Sequence, residues 1–175
     1  MTSILRVNSI KTTGDKPILN STGSILQVKQ TAMTDRVSTS SAVPTFVDIT
    51  GLSVAITPTT VTNKILIMVQ IQNNATYTYA KLFNLVRGST SIFRGDAHLS
   101  SQTRSTVYGR DEAFGEVYSV MYLDSPNSIA EQTYQMQGCV QSSGELTINY
   151  TQVATNADYI GTGTSSITAM EIVHE

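Results

Sequence analysis

The run KILIMVQIQ at residues 64–72 is the densest apolar stretch of the chain and decides its fold class. Residues 59–63 before it and residues 73–74 after it are rich in Thr and Asn, which are common in turns. A run of this length, rich in β-branched residues and bounded by turn residues, is typical of a strand and too short for an ordinary helix. The sequence therefore predicts a central strand here.

Several other segments repeat this plan on a smaller scale. Residues 52–56 alternate apolar and polar with a period of two, and residues 88–90 have the composition of a hairpin turn. A short helical turn around residues 128–131 also fits the sequence. We predict strands at 24–33, 45–50, 52–56, 64–72, 76–87, 91–94, 115–123, 132–140, 145–153 and 166–173, with a shorter one near 106–108. Their spacing predicts an all-β chain, a jelly-roll-like antiparallel β-sandwich of about eight to ten strands.

The chain divides by composition into an extended N-terminal arm at residues 1–24 and a head domain at residues 25–175. Short apolar groups in the arm are separated by Asn, Ser, Thr, Gly, Asp and Pro, and such a stretch cannot bury a core alone. It is either a disordered tail or an attachment arm that becomes ordered against another chain. We favour the arm, because a solvated tail gains nothing from its aliphatic residues, which are Ile4, Leu5, Val7, Ile10, Ile18 and Leu19.

Composition excludes several classes of protein. The net charge of −2 argues against nucleic-acid binding, which needs a basic surface. No apolar run is long enough to cross a bilayer, so we expect no membrane insertion. The N-terminus lacks the apolar core of a signal peptide, which indicates a product made and kept in a cytoplasm before assembly. The single cysteine, Cys139, lies between Met136 and Val140 in sequence, and we expect a buried, inert thiol.

The sequence contains no recognisable catalytic or metal-binding constellation. His98 and His174 are far apart and neither is near a nucleophile motif. One cysteine and two separated histidines do not supply a zinc site, and the chain has no calcium loop and no glycine-rich phosphate cradle. Asp111 and Glu112 follow Arg110, which favours a solvated loop over a pair of opposed catalytic carboxylates. We therefore expect a protein that is not an enzyme and uses no cofactor.

Irregular polar loops on a rigid scaffold are where binding usually occurs, and we predict outward contacts at loops 95–112, 124–130 and 154–164. Tyr108, near Arg104 and Arg110, fits a carbohydrate- or protein-binding loop, although we favour core or subunit packing for most tyrosines. Four of them, Tyr77, Tyr79, Tyr118 and Tyr122, fall on predicted strands. The candidate receptor or partner residues are Arg94, Asp96, His98, Arg104, Tyr108, Arg110 and Tyr159. The tripeptide at residues 94–96 is interpreted as a turn with an Arg/Asp pair.

The order and spacing of several segments also resemble a known group. Residues 1–10 and 17–28, followed by residues 46–58 and 64–67 and later by 85–90 and 122–126, are similar to the corresponding parts of small fibre-like virion proteins of marine tailed bacteriophages. The resemblance covers nearly the whole chain. It implies a jelly-roll-like head on a short N-terminal attachment segment, usually as a trimer on the virion surface. It implies no catalytic residues.

The expected function is therefore that of a non-enzymatic virion structural protein, a trimeric fibre or appendage on the particle surface. Its expected partners are copies of itself, other virion proteins through the arm, and a host-surface glycan or protein. The same features fit two alternatives, which stay open at this point. One is a capsid decoration protein that stabilises the head, and the other is a free carbohydrate-binding lectin.

Overall fold

The computed structural model describes residues 22–76, 79–110, 115–142, 144–151, 158 and 160–174. Eleven strands and no helix lie in these residues. The strands are β1 (Ile25–Met33), β2 (Val37–Thr39), β3 (Val47–Ile56), β4 (Lys64–Ala75), β5 (Ala80–Arg87), β6 (Thr90–Phe93), β7 (Val107–Arg110), β8 (Glu116–Asp124), β9 (Gln132–Val140), β10 (Leu146–Ile148) and β11 (Ser165–Ile172). The prediction of an all-β fold is confirmed.

The strands form two antiparallel sheets that pack face to face as a jelly-roll-like sandwich. In the first sheet β4 is central, with β8 on one side and both β11 and β10 on the other. Beyond these, β1 pairs with β11 and β2 pairs with β10. The second sheet has the order β3, β9, β5, and both β6 and β7 pair with the far side of β5.

The run at residues 64–72 is the predicted central strand, and β4 extends it to Ala75. Because side chains alternate across a strand, Ile65, Ile67, Val69 and Ile71 all point into the core, where each is almost fully buried. Phe83, Leu85, Tyr134 and Met136 meet this layer from the second sheet. Each fully buried aliphatic or aromatic side chain contributes about 1.5–3 kcal/mol to folding, so this layer supplies much of the stability.

The predicted strands at 45–50 and 52–56 are one continuous strand, β3. Its pairing with β9 shifts register between Asp48 and Ser53. Gly51 lies in this gap with a φ of 86°, a conformation that is easy only for glycine. Gly51, which lies between the two predicted strands, is therefore the residue that lets β3 continue through an irregularity.

Several boundaries and two elements differ from the sequence prediction. Strand β5 begins at Ala80 instead of residue 76, and the described part of the predicted strand at 145–153 contains only β10, which ends before Asn149 with its φ of 69°. The three-residue β2 was missed because so short a segment has no measurable period. The predicted helical turn at 128–131 is a bend, in which the Ala130 N–H donates to Ser128 Oγ at 3.0 Å.

An ion pair joins the two sheets at the edge formed by β8. Arg87 of β5 donates through Nη1 to Asp124 Oδ2 of β8 at 2.5 Å, and the buried Tyr134 hydroxyl donates to the same oxygen at 2.8 Å. Burial opposes the charge on Arg87, but the hydrogen bond and charge of Asp124 outweigh it and raise the arginine pKa. Burial and Asp124 together raise the pKa of Tyr134, so the phenol stays protonated as a donor.

A second polar cluster holds residues 57–63 against the start of β1 and the end of β11. Glu171 accepts from the Thr59 N–H at 2.6 Å, from Asn63 Nδ2 at 2.7 Å and from Gln27 Nε2 at 2.6 Å. Burial opposes ionisation of this carboxylate. The hydrogen bonds outweigh burial and hold the pKa of Glu171 below its usual value.

The first described residues pair with the end of the chain's last strand. The Gly23 N–H donates to the Val173 carbonyl at 2.8 Å, and the Val173 N–H donates to the Ser24 carbonyl at 2.9 Å. The aliphatic arm residues Ile4, Leu5, Val7, Ile10, Ile18 and Leu19 lie outside the described residues.

Candidate functional site

The connection between β6 and β7 forms a cleft on the outer face of the second sheet. The cleft has a volume of about 510 Å³, a size ordinary for a small-molecule site. Ala80, Leu82 and Val43 supply an apolar floor. Residues 95–97 and 101–105 of the connection form one wall, and the remaining lining residues are Tyr108 and Gln141.

The ends of this connection are tied together at its base. The Gly95 N–H donates to the Ser105 carbonyl at 3.1 Å. The Thr106 N–H donates to the Phe83 carbonyl at 2.8 Å, and the Thr106 hydroxyl accepts from the Leu85 N–H at 2.8 Å. The same hydroxyl donates to the Phe93 carbonyl. Thr106 therefore fixes the connection to β5 and β6 and positions the wall of the cleft.

Side chains within the connection set its shape. Gln102 Oε1 accepts from the His98 N–H at 2.8 Å and from the Leu99 N–H at 3.1 Å, which closes the tip. Arg104 donates through Nε to the Gly95 carbonyl at 2.7 Å and through Nη2 to Asp96 Oδ1 at 3.1 Å. The Arg/Asp pair predicted for residues 94–96 thus forms between Asp96 and Arg104 instead.

The structure brings together three of the predicted contact residues, Asp96, Arg104 and Tyr108, in the cleft. Arg94 lines a neighbouring depression that shares residues 101–104. The remaining candidates lie elsewhere. His98 is exposed at the tip, Arg110 ends β7 opposite Ala80, and Tyr159 lies outside the described residues.

Sequence reasoning missed the amides Gln102 and Gln141 and the apolar floor. Gln141 follows β9, and its Oε1 accepts from the Ala80 N–H at 3.2 Å. The pairing of β5 with β9 brings these residues together, since Lys81 lies opposite Val140. No local pattern in the sequence carries that information.

The cleft combines an aromatic surface with planar polar groups. Tyr108 is 63% exposed and faces solvent from β7 beside Leu82. Arg104, Asp96, Gln102 and Gln141 supply guanidinium, carboxylate and amide groups around it. An apolar surface rimmed by donors and acceptors suits a ligand with one apolar face and several hydroxyl groups.

A second surface, on the outer side of the first sheet, is apolar. Val28, Met170, Leu66 and Leu123 lie opposite one another on four neighbouring strands and form an unbroken row. The next row contains Gln30, Thr168, Met68 and Met121. We call the following residues the apolar face: Val28, Leu66, Met68, Val117, Met121, Leu123 and Met170.

The apolar face is open and ends at a sheet edge. Met121 is 63% exposed, and Val28, Val117, Leu123 and Met68 are also exposed. A shallow groove of about 350 Å³ runs past Met68 and Met121 between small residues such as Ser119. In the described part of the chain, β8 pairs only with β4.

Several predictions about individual side chains can be checked. Cys139 is fully buried, and burial raises the pKa of its thiol to about 12, which confirms a buried cysteine that is neutral at physiological pH. Tyr79, Tyr118 and Tyr122 pack against the core as predicted, with Tyr118 edge-on to Phe83. Tyr77 lies outside the described residues.

Metal-binding clusters and membrane-spanning helices are both absent from the described ranges. No group of three or more His, Cys, Asp or Glu side chains there is arranged to hold a metal ion. Likewise, those ranges contain no helix with the length and apolarity needed to span a membrane.

Comparison with known proteins yields a likeness among solved structures only. No family model matches the sequence, and no curated protein matches it. Among solved structures, a chain of infectious bursal disease virus, Gx strain, matches with 11% sequence identity and a TM-score of 0.40. The match covers 100% of this chain and 47% of that one, so this chain spans about half the length of the viral chain. A likeness at this level supports no conclusion about the fold or function of this chain.

Proposed function

We propose that the chain is a non-enzymatic structural protein of a tailed-phage virion, a homotrimeric fibre or appendage on the particle surface. In this proposal the apolar face lies at the contact between copies, and the arm at residues 1–24 anchors the protein to the particle. The β head contacts the host or the particle. The single observation that carries the proposal is the open apolar face.

Exposure of such an apolar face to water is unfavourable, so we expect a partner to cover it. Soluble monomers rarely expose a large contiguous apolar patch, and such patches are a mark of interaction sites. Three rows of side chains cross this sheet from Val28, Gln30 and Ala32 of β1. Their partners on β11, β4 and β8 include no charged residue. Depletion of charge with enrichment of Met is typical of the centre of a protein interface. Within the described ranges β8 is an edge strand beside the patch, and an edge strand adds a second reason to associate.

Sequence features support the virion assignment. The segments similar to phage fibre-like proteins extend over most of the chain, and the arm has the alternation of apolar and turn residues that suits docking on another protein. Only 14% of the residues are charged, so repulsion between copies packed side by side is weak. Three-fold assembly would also let a weak binding site act three times on one surface.

Quantitative mass spectrometry of purified particles that contain the protein tests this assignment. A fibre or appendage is expected in few copies, and its removal should abolish host adsorption. A capsid decoration protein is expected in many copies, and its removal should lower the resistance of the particle to heat. Absence of the protein from purified particles would overturn both forms of the proposal.

The role of the arm has its own test. Deletion of residues 2–20 should leave a folded head that no longer joins particles, since the arm is the proposed anchor. Far-ultraviolet circular dichroism reports the fold, and immunoblotting of purified particles reports incorporation. Incorporation of the deleted protein at the normal level would contradict the proposal.

A second candidate function, saccharide binding, is favoured by the cleft beside Tyr108. A pyranose ring has an apolar face that suits an exposed tyrosine, and its hydroxyls suit the side chains of Asp96, Arg104 and Gln141. This activity is compatible with a virion appendage, and it is also what a free lectin would need.

A glycan array probed with the labelled protein tests the second candidate. Tyr108→Ala should abolish any signal, while the matched control Leu99→Ala should keep it, because Leu99 is exposed on the same connection and does not line the cleft. An array without signal from a folded wild-type protein would count against this candidate and would leave the structural role untouched.

A further inference from the structure

We propose that residues 1–21 of one copy lie across the apolar face of a neighbouring copy, so that the trimer is held together by exchanged arms. This inference rests on the proposed self-association and names the segment that occupies the face. The arm thereby gains a role inside the assembly in addition to anchoring it.

The place where the described chain begins supports this assignment. The Gly23 N–H is hydrogen-bonded to the carbonyl of Val173, the residue just after β11. Ile25 begins β1 opposite Ile172. The unbroken apolar row that starts at Val28 lies at this same end of the first sheet. The described chain therefore begins beside the apolar face, which places the attachment point of residues 1–21 near it.

The length of the arm is sufficient to reach a second copy. An extended chain of 21 residues reaches about 70 Å. The apolar row crosses four strands, which is a width of only about 15 Å at ordinary strand spacing. Most of the arm thus remains available to cross from one head and lie on the face of the next.

The composition of the arm matches the surface. Leu5 and Val7 point to the same side when the chain is extended, and Ile4 and Ile10 add further apolar contact. On the apolar face, the row that starts at Val28 continues with Met170, Leu66 and Leu123, and these side chains would contact the arm. Methionine and leucine side chains adapt readily to an aliphatic partner. An extended arm can also pair its backbone with the open edge of β8.

The methionines give a direct measurement on the full-length protein. Met68 and Met121 lie on the apolar face, whereas Met33 and Met136 are buried in the core and act as internal references. The variant Leu5→Asp/Val7→Asp places charge in the arm, and Ser3→Asp/Ser9→Asp adds the same charge without removing an apolar side chain. Dilute peroxide followed by peptide mass spectrometry gives the oxidation rate of each methionine.

We expect Met121 to oxidise about fivefold faster in Leu5→Asp/Val7→Asp than in the wild type or the Ser3→Asp/Ser9→Asp control, because oxidation follows exposure. Met33 and Met136 should remain slow in all three proteins. Equal Met121 rates in all three would overturn the inference. If light scattering then still shows a trimer, the proposed function survives, whereas a monomeric wild type would remove both.

A disulfide test identifies which copy supplies the arm. The double variant Leu5→Cys/Met121→Cys should give chains linked to one another on a non-reducing gel, and neither single variant should do so. The native Cys139 does not interfere, since it is fully buried. A disulfide confined within single chains, or none at all, would contradict arm exchange.

Discussion

The outer faces of the two sheets contain apolar side chains in similar positions but differ in what covers them. Leu82, on the outer face of the second sheet, is only 6% exposed because it lies at the floor of the cleft under the connection between β6 and β7. Leu123, on the outer face of the first sheet, is 46% exposed. The chain itself covers one face and shapes a binding cleft there. The described part of the chain leaves the other face uncovered, and we propose that a partner covers it.

Introducing a charge on each face should give the largest contrast. Leu82→Asp should lower the free energy of unfolding by about 4 kcal/mol, because it places an unpaired carboxylate in a buried apolar position. Leu123→Asp should cost the isolated head about 1 kcal/mol or less, since water can reach the new charge. Urea unfolding followed by circular dichroism measures both.

The stability of Leu123→Asp should be measured at high dilution, where association does not contribute to the free energy of unfolding. Equal destabilisation by the two substitutions would mean that the apolar face is packed inside the head. That result would remove the contrast between the two faces.

The ion pair between the sheets should have the next largest effect. Asp124→Asn should lower the free energy of unfolding by about 2 kcal/mol, because it leaves Arg87 without its counter-charge and weakens the acceptor of Tyr134. The value is below that for a fully buried pair because Arg87 is partly exposed. Glu131→Gln, a charge-removing change at an exposed position, is the control and should have no measurable effect.

This ion pair also tests how firmly the open edge is held. Since Asp124 is the last residue of β8, its loss should increase hydrogen exchange at β8 more than at the central strand β4. Uniform acceleration through both strands would indicate that β8 has no special dependence on the pair.

Glu171 should give a smaller effect that depends on pH. Its pKa is lowered in the folded protein, so its contribution is fully present above the unfolded pKa of about 4.3 and is lost as pH falls through the folded value. Glu171→Gln should therefore destabilise the protein by about 1 kcal/mol at neutral pH, with the difference shrinking below about pH 4. Thermal unfolding of both proteins across this range measures it. A difference that grows on acidification would contradict the hydrogen-bond assignment.

The inner layer of the fold could be predicted from the sequence because period-two alternation records which side chains face the core. Residues 132–140 were predicted at their observed bounds, and the strand beginning at Lys64 was predicted at its observed start because turn residues bound a dense apolar run there. The boundaries near residues 76 and 149 could not be predicted, since turn geometry there depends on pairing with distant strands. The three residues of β2 are too few to show a period.

The two surfaces differed in how far sequence could reveal them. Residues 65–69 are apolar on both sides of the strand, which is the pattern of a strand buried on both faces. The structure shows that Met68 on one side is exposed, so the apolar residues on that side belong to an open surface of the head. The cleft was anticipated only through the polar loop that contains Arg104 and Tyr108. Gln141 joins it through strand pairing that no local signal reports.

The most direct test is the molar mass of the full-length protein by light scattering across a dilution series. The wild type and the control Ile129→Asp should both have three times the 18.9 kDa chain mass, because Ile129 is 62% exposed but is not one of the residues of the apolar face. Met121→Asp should be a folded monomer, since a charge on the apolar face opposes association. A monomeric wild type, or a Met121→Asp variant that keeps the wild-type mass, would contradict the account.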